Sequence, residues 1–115
     1  MKIGRIQSSS TRIKLYVEKD SKDMPSVCLY IIGGDSEMPL GLLDDLQFDE
    51  SVNKEELESL KQAVINEAIR RSCYTLKANV DQGDLELHRK YKKLGLKDYD
   101  GILRLDQKDY KPTSP

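Results

Sequence analysis

From Arg12 to Glu18 apolar and polar residues alternate, with Ile13, Leu15 and Val17 set against Lys14, Tyr16 and Glu18. A period of two predicts a strand with one buried face. Ser26 to Ile32 is apolar almost throughout, which predicts a strand covered on both faces. A charged segment joins these two strands, so they form an antiparallel hairpin with a long loop, and Gly33, Gly34 and Asp35 mark the next turn. A third strand is predicted from Leu40 to Phe48, with Leu42, Leu46 and Phe48 as its apolar side. Asp44 and Asp45 interrupt it. Two poor strand formers in succession predict a bulge or a local opening of the ladder.

The period then changes to that of a helix. Leu57, Leu60, Val64, Ala68, Ile65 and Ile69 form one broad apolar stripe over about Lys54 to Ser72. Asn53 is the predicted N-cap and Glu56, three residues on, completes a capping pattern. Tyr74, Leu76, Ala78 and Val80 return to a period of two, so strand, helix and strand form a parallel crossover. Gly83 and Asp84 open a second helix on which Leu87, Tyr91 and Leu94 share one face, and Gly95 closes it. Ile102 to Leu105 supplies a last strand. The order is β-β-β-α-β-α-β, an α/β mixed sheet with helices packed on it.

Composition narrows the class. The chain has 115 residues, 37% hydrophobic and 34% charged, enough for one core and one domain. We expect that domain to cover 1–107, with 108–115 a mobile tail. A net charge of -1 gives no overall attraction to nucleic acid or anionic lipid, and nucleic acid is disfavoured as a partner. No apolar run approaches the roughly 20 residues of a membrane span, and no apolar segment follows Met1–Ile6 as in a signal peptide. A cytoplasmic protein is expected. Cys28 and Cys73 have no metal-ligand spacing and His88 is the only histidine, so no metal is expected and the thiols read as reduced, buried hydrophobes. The basic run Arg89, Lys90, Lys92 and Lys93 reads as a solvated helix face. Ser8, Ser9 and Ser10 lack triad partners, and no dinucleotide or Walker glycine motif is present.

The segment Asp84, Leu87, Lys90-Tyr91 and Lys93-Leu94-Gly95-Leu96 resembles the late signature of the GCN5-related N-acetyltransferase (GNAT) superfamily. Tyr91, the lysine, Leu94 and Gly95 match in register, while Leu96 stands for the usual Phe and Asp84 for the usual Asn. Leu46-Gln47-Phe48-Asp49 is similar to the strand end that leads into the family's cofactor loop. The resemblance spans about Pro39 to Asp106 and implies a compact GNAT-like fold. It also implies acetyl-CoA held where two parallel strands splay apart, with Tyr91 as the acid that protonates the departing thiolate. Backbone N–H groups near Leu46 and Phe48 would polarise the thioester carbonyl. Asn53 and Lys54, at the helix start, and Arg89 would help to hold the phosphates.

The chain departs from the family at the loop. Ser51 to Glu58 has no glycine where the family uses two to bring the backbone up to phosphate, and Glu55, Glu56 and Glu58 cluster there instead. The family's usual first strand and two early helices also find no room before Arg12. The expectation is a degenerate acetyltransferase-fold protein with weakened or lost acetyl-CoA binding. It would act mainly by binding a macromolecular partner, a protein or a second copy that completes its sheet. The alternative is an active minimal N-acetyltransferase acting on an amine of a protein or small molecule.

Overall fold

The computed structural model describes residues 2–20 and 24–110. Seven strands form one sheet: β1 (Ile3–Gln7), β2 (Arg12–Val17), β3 (Ser26–Ile32), β4 (Leu40–Gln47), β5 (Thr75–Ala78), β6 (Lys97–Tyr99) and β7 (Ile102–Asp106). Two helices, α1 (Lys54–Arg70) and α2 (Leu85–Leu94), follow β4 and β5, and a 3₁₀ turn spans Gln107–Asp109. The spatial order is β1-β2-β3-β4-β5-β7-β6. All neighbours are antiparallel except β4 and β5, the crossover through α1. The mixed α/β sheet with packed helices is as the sequence predicts.

The core lies between one face of the sheet and the two helices. Ile13 and Leu15 of β2, Leu29 of β3, Leu43 of β4 and Leu76 of β5 meet Leu60, Val64 and Ala68 of α1 and Tyr91 of α2. Among the described residues no helix covers the other face, where Arg12, Tyr30, Lys77 and Arg104 point outward from their strands. Such a sheet is stable because antiparallel strands tolerate one solvated face. The stripe of α1 is narrower than its sequence suggests, since Ile69 is exposed.

The structure corrects several details. Ile3–Gln7 is a strand, so a first strand does find room before Arg12: a short loop is enough to pair it antiparallel with β2. It escapes notice because an edge strand buries little, and only Ile3 and Ile6 are large and apolar. Tyr16 packs its ring flat on this strand at Gly4, where a Cβ would sit 2.0 Å from the Tyr16 Cζ. On β4 the buried residues are Leu43 and Leu46, whereas Leu42 is half-buried on the opposite face. The extra residue at the bulge shifts the phase of the strand by one. β6 is a further short strand. Of the expected tail, Lys108 and Asp109 belong to the 3₁₀ turn, and Tyr110 is buried with its hydroxyl donating to the Cys73 carbonyl at 3.1 Å. Residues 111–115 lie outside the described residues.

The helix ends follow the sequence closely. α1 stops at a Schellman motif: Ser72 takes a left-handed φ of 58°, Cys73 N–H donates to Ala68 O at 2.9 Å and Ser72 N–H to Ile69 O at 3.1 Å. Asp84 caps α2, accepting from Leu87 N–H at 3.0 Å. Gly95 ends it at φ 126°, and any Cβ there would meet Lys61 Cδ at 2.4 Å. Cys28 and Cys73 are buried free thiols, each raised in pKa chiefly by burial.

Candidate functional site

The aspartate pair produces the bulge. Asp45 adopts φ 52°, and the β3–β4 register slips there, with three steps from Asp44 to Gln47 facing two from Ser26 to Cys28. Parallel pairing of β4 with β5 runs only from Leu40↔Thr75 to Leu43↔Ala78, and one more bond joins Asn79 N–H to Leu43 O at 2.8 Å. Beyond it β4 and β5 make no further pair, leaving a gap in the ladder, and α2 packs against β4.

Tyr91 reaches the bulge from α2. It is fully buried, and its hydroxyl has no hydrogen-bond partner among the described residues. Burial, then the nearby Asp44 carboxylate, raise its pKa well above the ordinary tyrosine value, against a smaller opposing pull from the Leu46 backbone. A buried hydroxyl without a partner carries a desolvation cost of about 1–3 kcal/mol. The arrangement keeps a protonated phenol beside a strand end that has left its ladder.

Above that buried group lies an open cleft of about 380 Å³, lined by Phe48, Asp49 and Glu50 on one side and by Glu86, Arg89, Lys90 and Lys93 of α2 on the other. Phe48 is its aromatic centre. The Lys90 and Lys93 ammonium groups sit 5.5 and 5.8 Å from the Phe48 ring centroid, close enough for cation–π attraction. Phe48 and Arg89 thus line the same cleft, and Leu46 adjoins Tyr91. Tyr91 itself does not line the cleft. The sequence reading missed Lys90 and Lys93 as partners of Phe48, although their spacing of three already places them on one helical face.

The start of α1 is closed. Asn53 Oδ1 accepts from Glu56 N–H at 2.8 Å, and Glu56 Oε1 accepts from Asn53 N–H at 2.9 Å. Lys19, from the loop after β2, donates to Glu56 Oε2 at 3.0 Å. Glu56 is buried, and its pKa is lowered first by the Asn53 backbone bond and then by Lys19, which together outweigh burial. Asn53 therefore spends its side chain on the cap, and Lys54 is exposed. The Glu56 carboxylate thus answers the helix dipole and the Asn53 N–H, and the Asn53 amide oxygen answers the Glu56 N–H. The pairing of Glu56 with Lys19 is invisible in sequence, because 37 positions separate them.

These two halves give different answers to a diphosphate-bearing cofactor. The unpartnered Tyr91 hydroxyl is compatible with a ligand group arriving at the bulge. At the α1 terminus the Asn53 N–H is taken by the Glu56 carboxylate and the Glu56 N–H by Asn53 Oδ1. Among the described residues no group of acidic, histidine and cysteine side chains could hold a metal ion, and no helix is long and apolar enough to cross a membrane.

The fold is GNAT-like. It is similar to that of Tetrahymena GCN5, with a TM-score of 0.52 over 90% of this chain and 72% of that one, at 13% sequence identity. At that identity the likeness shows the fold alone. No protein-family model matches the sequence, and no curated protein matches it.

Proposed function

We propose that this is an acetyltransferase-fold protein whose acetyl-CoA site is weakened or lost, and that it works mainly by binding a macromolecular partner. The capping box at the start of α1 carries the reading. A diphosphate would have to displace the Glu56 carboxylate from Asn53 N–H and Lys19, or accept a negative charge next to it. Like charges at about 4 Å cost on the order of 1–4 kcal/mol in a partly screened site. That corresponds to a loss of affinity of about five-fold to 1000-fold, and the upper end takes a micromolar affinity to millimolar. Calorimetric titration with acetyl-CoA and with CoA tests it: no heat of binding is expected up to millimolar cofactor. Micromolar binding that is lost on Arg89→Glu overturns it.

One observation favours the second reading, a minimal N-acetyltransferase using acetyl-CoA: the Tyr91 hydroxyl is buried at the bulge with no partner. In that reading Tyr91 holds the proton at its phenolic oxygen, and the backbone of Leu46 and Phe48 faces the acyl group. Burial keeps the phenol protonated but also makes it a weaker acid, which counts against efficient proton donation. Acetyl transfer to an amine panel, abolished by Tyr91→Phe while the fold is retained, would establish this reading over the first.

A further inference from the structure

The helix-free face of the sheet carries a second, larger groove at the end remote from the bulge. It has a volume of about 630 Å³ and lies where the start of β4, the start of β5 and the end of β7 come together. Its apolar lining is unusually exposed: Met38 61%, Tyr74 38% and Ile102 38%, with half-buried Leu40 between them. A cluster of large apolar side chains left in water within one concavity marks an interaction surface.

The charges around it are mostly of one sign. Lys77, Arg104 and Lys108 stand on the rim, and the one carboxylate, Asp106, is already engaged. Asp106 Oδ1 accepts from Thr75 Oγ1 at 2.8 Å and from Arg104 Nε at 3.1 Å. Among the described residues, neither Lys77 nor Lys108 has a carboxylate in ion-pair range. A positive, apolar groove on a chain of net charge -1 is a local concentration of cations that an acidic ligand would neutralise. The lining decides between classes of acidic ligand. Methionine, leucine and isoleucine offer aliphatic sockets, whereas single-stranded nucleic acid asks for open aromatic faces on which bases stack. Tyr74 is the single aromatic ring in the lining, while nearby Tyr99 is already covered by Arg104 at 4.4 Å and Lys108 at 5.2 Å, and Tyr30 by Arg12 at 5.7 Å.

We propose that this groove docks an acidic, amphipathic segment of a partner protein, with apolar side chains seated on Met38, Tyr74 and Ile102 and carboxylates facing Lys77 and Lys108. The inference rests on the partner-binding reading above and gives that partner a chemistry.

Fluorescence anisotropy with a labelled synthetic amphipathic peptide, leucines on one helical face and glutamates flanking them, tests it on the full chain. The expected result is binding that weakens with added salt and falls by at least about ten-fold in Lys77→Glu/Lys108→Glu. Tyr74→Ser/Ile102→Ser should weaken it without changing the salt dependence. All four side chains are exposed, so circular dichroism should show unchanged folding in both variants. Equal or tighter binding of a lysine version of the peptide, preferential binding of oligothymidylate, or no binding at millimolar peptide overturns the proposal. So does a dimer in sedimentation equilibrium that Lys77→Glu/Lys108→Glu dissolves, which assigns the face to a second copy. CoA titration of the same samples keeps the two readings apart. Cofactor binding would sink the functional reading alone, and failure of the peptide would sink this one alone.

Discussion

The start of α1 and the bulge in β4 treat their polar groups in opposite ways. At the start of α1 the buried Glu56 carboxylate is answered by the Asn53 N–H and by Lys19, and the Glu56 N–H by Asn53 Oδ1. At the bulge the Tyr91 hydroxyl is buried and makes no hydrogen bond of good geometry among the described residues, although the Leu46 backbone lies near enough to pull its pKa down. The first arrangement stabilises the fold. The second costs stability, and in a native structure such a group points to a ligand or to a packing requirement that outweighs the cost.

The largest effect that sharpens this contrast comes from Tyr91. Tyr91→Ala should destabilise the chain by about 3–5 kcal/mol in urea unfolding, because it empties a fully buried ring site. Tyr91→Phe should be nearly neutral or slightly stabilising, since the hydroxyl it removes has no partner. A loss above about 1.5 kcal/mol for Tyr91→Phe would mean that the hydroxyl is held, and the contrast would collapse.

At the start of α1, Asn53→Ala should cost about 0.5–2 kcal/mol, the usual worth of a side-chain N-cap. The pH dependence follows from Glu56, whose folded-state pKa lies below its ordinary value. A depressed carboxylate adds stability above its unfolded pKa of about 4.3, and that stability is lost as pH falls through the folded value. Thermal unfolding below about pH 4 should therefore decline less steeply in Glu56→Gln than in the unaltered chain. Asp109 contributes in the same direction: burial opposes ionisation, but bonds from Lys97, the Asp106 N–H and Tyr99 bring its pKa down to about 2. An identical slope in Glu56→Gln would show that the capping box is not closed in solution.

The smallest effect checks whether the core around the gap is sealed. Cys28 and Cys73 are buried with raised pKa values, so a water-soluble disulfide reagent should modify them only as fast as the chain opens. Rapid labelling of Cys28, one strand from the bulge, would indicate that the strand pair breathes there.

Much of this was legible in the sequence, for local reasons. Asn53 and Glu56 sit three residues apart and meet by helix geometry alone. Asp44 and Asp45 announced the bulge through poor strand propensity. Leu87, Tyr91 and Leu94 announced the inner face of α2. The apolar side of β4 was misread at Leu42 because a bulge changes phase, and no period survives an inserted residue. The edge strand β1 was missed because one-sided pairing leaves almost no hydrophobic record. Tyr110 was assigned to a mobile tail because its anchor, the Cys73 carbonyl, is a backbone group far away in sequence.

By itself, then, the sequence determined both helices and five of the seven strands, the helix caps, the break in β4 and the absence of a glycine loop, since each depends on residues within a turn or two of one another. Only the tertiary structure decided that Lys19 closes the Glu56 cap, that the Tyr91 hydroxyl is unpartnered, and that exposed apolar residues and lysines gather on the bare face of the sheet. Those facts depend on which distant segments share a few cubic ångströms, and that is set by the packing of the whole sheet rather than by any local pattern.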